Sequence, residues 1–124
     1  RTEEDRLSLI DGLLSNVIDA IATDHAPHPE NTKTVDFKSA ARGVVGLESA
    51  FPMLYSSGIL SLEEIKKFMI ENPRKILSEA GYKVEKSQVN VWQPCDKEFT
   101  TKSKFNNSIF EKRNTKIEKV SQNV

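Results

Sequence analysis

An apolar run that stops on an acid constrains this chain more than any other feature. Val17 to Thr23 is short, rich in β-branched residues and apolar on both alternating faces except at Asp19, the pattern of a strand buried in a parallel sheet. It is preceded by a segment in which Leu7, Ile10, Leu13 and Leu14 share one face at helical spacing. Glu3, Glu4 and Asp5 load the first turn there, where the helix dipole favours acids. Thr2 is the expected N-cap, with Asp5 three residues on, so residues 2–15 are expected to be helical. A helix feeding a buried strand is the repeating unit of an α/β fold. The strand then ends on Asp24, His25, Pro27 and His28.

The remaining segments are expected to follow in order. Pro27, Pro29, Glu30, Asn31 and Thr32 make a polar loop of the kind that carries function on α/β scaffolds. Gly43 and Gly46 punctuate the approach to a helical stripe of Leu47, Ala50, Phe51 and Leu54, in which Pro52 must kink the helix or sit in its first turn. Ser61-Leu-Glu-Glu64 is a capping box opening another helix, with Ile65, Phe68 and Met69 on its inner face. Asn72-Pro73 predicts a restart as N-cap and first helical residue, and Gly81 a stop. Beyond it, Val89–Trp92, Glu98–Thr101 and Lys116–Val120 predict short strands, so a boundary is expected near residue 82.

Composition excludes several functions. The 124 residues suffice for one modest domain or a piece of one, and their 18 basic and 18 acidic side chains cancel. No global field therefore draws the chain to nucleic acid or to an anionic membrane. No apolar run approaches a membrane span, and the first residues are charged and amphipathic, unlike a signal peptide. A single cysteine, Cys95, cannot form an internal disulfide, which points to a reducing, cytoplasmic compartment. The chain opens on Arg1 and its methionines are Met53 and Met69, so it is expected to be part of something longer.

Taken by itself, Asp24 at a strand end is an ordinary turn former or helix cap. Two histidines three residues apart beside it add a second reading, since His and Asp are usual ligands of a divalent metal, although a pair of satisfied structural histidines fits the spacing too.

The chain resembles the dihydroorotases of the metal-dependent amidohydrolase superfamily, over their carboxyl-terminal third. Asp19-Ala-Ile-Ala-Thr-Asp-His-Ala-Pro-His28 and Gly46-Leu-Glu48 carry the resemblance, with Glu3-Glu-Asp-Arg6 before them and Asn72-Pro-Arg-Lys-Ile-Leu77 after. It implies an α/β fold: residues 1–81 as the last helix and strand units of a (β/α)8 TIM barrel, and residues 82–124 as strands of a small β domain. Asp24 would then stand at the carboxyl-terminal face, where barrel enzymes place their active sites.

The implied reaction is reversible cyclisation of N-carbamoyl-aspartate to dihydroorotate in pyrimidine (UMP) biosynthesis, with one or two zinc ions as cofactor. Zinc would polarise the amide carbonyl and supply a hydroxide. By the same resemblance Asp24 is metal ligand and catalytic proton carrier, His28 meets the substrate carboxylate, and backbone groups at Arg42 and Gly43 hold the substrate. The family's other metal ligands and substrate-gripping residues match nothing in this chain, so the 124 residues alone are expected to be inactive. With the other barrel strands absent, Val17–Thr23 would expose backbone edges and apolar faces, so the isolated chain is also expected to be poorly soluble or partly unfolded. The tail departs from the family pattern at Glu85–Val91 and at Asn107-Ser-Ile-Phe110, where Ile109 replaces a proline. A homodimer or a complex with aspartate carbamoyltransferase is the implied assembly. The alternatives are a non-catalytic subunit that docks on aspartate carbamoyltransferase, and another cyclic amidase such as an allantoinase or hydantoinase.

Overall fold

The computed structural model describes residues 2–85, 90–99 and 113–120. The chain divides into two compact units, the first of Arg1–Ala22 with Ser61–Ser87 and the second of Thr23–Leu60 with Gln88–Val124. Its elements mix helices with a small two-stranded antiparallel sheet.

In the first unit α1 spans Glu3–Leu14. The Thr2 hydroxyl accepts the Asp5 amide at 3.2 Å and the Asp5 carboxylate accepts the Thr2 amide at 2.7 Å, the expected capping box. The helix closes on Asn16, whose φ of 59° is left-handed. The Val17 amide reaches the Gly12 carbonyl at 2.8 Å and the Asn16 amide the Leu13 carbonyl at 3.0 Å, which together form a Schellman closure.

That closure corrects the expected strand at Val17–Thr23. The Val17 and Ile18 amides both go to Gly12, and Val17 is 79% exposed. The extended segment beyond is held by single bonds, from the Ile21 amide to the Phe68 carbonyl at 3.0 Å and from the Asn72 side chain to the Asp19 carbonyl at 2.8 Å. A strand exists only through the ladder it forms with a neighbour, and among the described residues this segment makes none.

The second helical run opens with α4 at Leu62–Lys66, where Ser61 and Glu64 form the predicted capping box. It widens into a π-helical turn at Lys67–Glu71 and continues as α5, Asn72–Glu79. The expected restart at Asn72 does not occur: Asn72 is helical, at φ −62° and ψ −47°. Pro73 lacks an N–H and would press its ring on the carbonyl of Met69, and a π-turn at this place absorbs the misfit without ending the helix. Ile65 and Phe68 are the buried side chains of this run, and Gly81, at φ 85°, ends it with a second Schellman closure onto Leu77 and Ser78.

The second unit holds α2 (Glu30–Lys33), α3 (Ala50–Ser57), β1 (Trp92–Glu98) and β2 (Asn114–Lys119). Pro52 lies in the first turn of α3, where a missing N–H breaks no helical bond. β1 and β2 pair antiparallel, from Trp92 opposite Lys119 to Glu98 opposite Asn114, with a bulge between Pro94 and Lys97. The predicted strands are thereby shifted. One begins at Trp92 and runs through the expected gap to Glu98, and the last spans Asn114–Lys119; Val89, Thr100 and Thr101 lie outside the described residues.

Thr115 and Ile117 alternate inward along β2. The Ser56 hydroxyl of α3 accepts the Lys116 amide at 2.8 Å and lies 3.3 Å from the Thr115 hydroxyl, while the Phe51 and Trp92 rings pack at 4.8 Å. Among the described residues of this unit the buried apolar core is small: Val45, Leu60 and Ile117.

Candidate active-site loop

Asp24, His25, His28, Arg42 and Gly43 all fall in the second unit. The segments carrying them meet at an isolated parallel bridge between His25 and Val44, with the Ala26 amide donating to the Val44 carbonyl at 2.9 Å. Asp24 precedes the bridge at φ 45°, a left-handed conformation costing about 1–2 kcal/mol for a residue with a Cβ, although Asp tolerates it better than most. Its side chain is exposed, and no hydrogen bond or ion pair is recorded for it among the described residues. The backbone thus turns at the residue whose carboxylate is the candidate reactive group.

His25 has a different role from its neighbour. Its Nδ1 accepts the amides of Gly46 and Leu47, both at 3.1 Å, so that nitrogen carries no proton and Nε2 does. The imidazole is a backbone anchor, which answers for one of the two histidines. His28 is half-buried, and among the described residues no side-chain hydrogen bond is recorded for it.

The facing turn is equally constrained. Gly43 has φ 98°, and a Cβ there would lie 2.4 Å from the Ala26 Cβ. Glycine is required twice over, by the backbone angle and by the close approach. Lys33, at the end of α2, donates from Nζ to the carbonyls of Ala41 at 2.7 Å and Gly43 at 2.8 Å. Arg42, between those two residues, is exposed. Sequence reasoning singled out neither Lys33 nor the anchoring role of His25, because a lysine ending a short polar helix carries no signal of what it will reach.

Among the described residues no group of three or more His, Cys, Asp or Glu side chains is placed to hold a metal ion. Asp24 fits one position of such a site, as an exposed oxygen donor whose side chain has no partner among the described residues. A catalytic zinc takes about three protein ligands, and the Nδ1 of His25 is already engaged. The described residues therefore do not form a metal centre by themselves. None of their helices is long and apolar enough to cross a membrane.

No family model matches the chain. It is 38% identical to a dihydroorotase of Ehrlichia canis over 128 residues, which cover 94% of this chain and 28% of that protein. A dihydroorotase of Bacillus pumilus is 45% identical over 93 residues, 72% of this chain and 22% of the relative. That of Bacillus subtilis is 49% identical over 77 residues, 59% of this chain and 18% of the relative. The chain thus spans less than a third of the length of the curated relatives it matches.

Proposed function

We propose that this chain, which belongs to the dihydroorotase family, is the portion that supplies the carboxylate of a zinc-dependent dihydroorotase active site. The observation that carries this is Asp24: an exposed carboxylate at a left-handed residue, next to a histidine that ties its segment to the Gly46–Leu47 turn. A turn former would spend its carboxylate on nearby amides, as Asp36 does on Lys38 and Ser39; none is recorded for Asp24 among the described residues.

On this reading the whole protein is a cytoplasmic (β/α)8 enzyme of pyrimidine biosynthesis, and residues 82–124 belong to its small β domain. Zinc, when bound by Asp24 together with ligands from outside this chain, supplies the Lewis acid. Asp24 takes on a carboxylate oxygen the proton of the water that adds to the ring carbonyl carbon, and gives it to the leaving nitrogen as the ring C–N bond breaks. His28 offers an imidazole N–H to the anionic substrate carboxylate, and the backbone at Arg42 and Gly43 positions the ring. The test is turnover by the longer protein that carries this chain, offered dihydroorotate, allantoin and dihydrouracil in parallel. Hydrolysis of dihydroorotate in preference to the others supports the reading, whereas preference for allantoin or dihydrouracil replaces it with another cyclic amidase.

A further inference from the structure

Lys33 reaches back over the turn that follows it in sequence. Its ammonium, part-buried, bonds the carbonyls of Ala41 and Gly43, the residues on either side of Arg42, while the Ala41 amide donates to the Thr32 carbonyl at 2.9 Å. A peptide unit is planar and trans, so fixing a carbonyl also fixes the N–H on its far side. The Ala41 carbonyl aims the Arg42 N–H away from the ammonium, and the Gly43 carbonyl does the same for the Val44 N–H. One side chain thereby sets the orientation of two peptide planes in this turn.

The turn has little room to find that shape otherwise. Gly43 stands at φ 98° against Ala26, two residues from Asp24, and the Val44 carbonyl is engaged by the Ala26 amide. A lysine serving only stability would gain little by drawing its charge out of water to bond neutral carbonyls. A lysine that orients backbone groups toward a ligand is repaid when the ligand binds.

We propose that Lys33 is a positioning residue, fixing the Arg42–Gly43 backbone in the form that receives the substrate. This rests on the dihydroorotase reading of the same site. Substrate held equally in ground and transition states is lost as KM with kcat preserved, which separates positioning from catalysis.

The experiment uses the longer protein. Lys33→Met keeps the apolar stem and removes the donors; Lys33→Arg restores charge and donors in a different geometry. For Lys33→Met we expect KM for dihydroorotate to rise by about tenfold with kcat within about twofold, the equivalent of about 1.4 kcal/mol of binding. Amide exchange at Arg42 and Val44 should accelerate, and Lys33→Arg should recover part of both changes. Unchanged exchange at these amides, unchanged KM, or a kcat loss matching the rise in KM would overturn the proposal. If the unsubstituted protein fails to turn over dihydroorotate, that reading falls, and the exchange measurement still decides whether Lys33 holds the turn. Should Lys33→Met not fold, Lys33→Arg and Lys33→Gln give the same two readouts.

Discussion

The Nδ1 of His25 accepts the amide of Gly46 at 3.1 Å, across 21 residues of sequence, and Gly46 is buried where it does so. The same nitrogen takes the Leu47 amide, so one imidazole satisfies two backbone donors. His25→Ala should leave the Gly46 N–H orphaned, at a cost of about 1–3 kcal/mol. His25→Asn, whose carbonyl oxygen can accept, should recover part of it. Denaturant unfolding of the longer protein measures both. Imidazole ¹⁵N shifts give a second check: they should show the proton on Nε2, and a proton on Nδ1 would refute the anchor.

Gly43→Ala forces a Cβ into a left-handed position 2.4 Å from the Ala26 Cβ. Strain and overlap together should cost about 2–4 kcal/mol, and the damage should spread to Asp24 through Ala26. Gly58 serves as the control, because it also has positive φ, 65°, but none of the described residues lies within 4 Å of its missing Cβ. Gly58→Ala should therefore cost only the conformational part, about 1–2 kcal/mol. Equal losses for the two variants would show that contact with Ala26 does not matter.

The start of α4 should weaken in acid. Hydrogen bonds from the Ser61 amide and hydroxyl hold the Glu64 carboxyl below its ordinary value, and the Lys67 ammonium adds a smaller pull. A depressed folded value means that ionised Glu64 favours the fold above the ordinary carboxylate range, and that this support is lost as pH falls through the depressed value. Glu64→Gln should thus be less stable than the unsubstituted protein at neutral pH and converge with it in acid. A difference independent of pH would contradict the assignment.

Local signals were legible in the sequence, and pairings across the chain were not. Thr2 with Asp5, Ser61 with Glu64, and Gly81 act within one helical turn, so residue order alone exposes them. Val17–Thr23 has the composition of a strand, but composition is silent on whether a neighbour supplies a ladder; here its first amides close α1 instead. Pro73 reads as a helix start because the π-turn before it leaves no mark in the residue pattern. At the site, the run from Asp24 to His28 draws attention to itself through unusual residue types. The bonds from Lys33 to Ala41 and Gly43, and those received by His25 from Gly46 and Leu47, depend on how the loop returns, which no periodicity encodes.

Taken alone, the 124-residue polypeptide should not unfold as a cooperative monomer. Val45, Leu60, Ile65, Phe68 and Ile117 are its buried apolar side chains among the described residues, while Val17 and Phe37 are 79% and 98% exposed and Leu7, Leu9 and Leu14 stand out along α1. So small a core offsets little chain entropy, and the uncovered faces favour self-association. Calorimetry should show a broad or absent transition. A sharp two-state transition from a monomer would contradict this.

The most direct test of the account is dihydroorotate turnover by the longer protein before and after Asp24→Asn. Asn tolerates the left-handed backbone at this position, so the variant removes the charge and leaves the turn in place. The account expects kcat to fall by about 10²–10⁴-fold with thermal stability retained. Turnover undiminished in Asp24→Asn would contradict the claim that this carboxylate carries the chemistry.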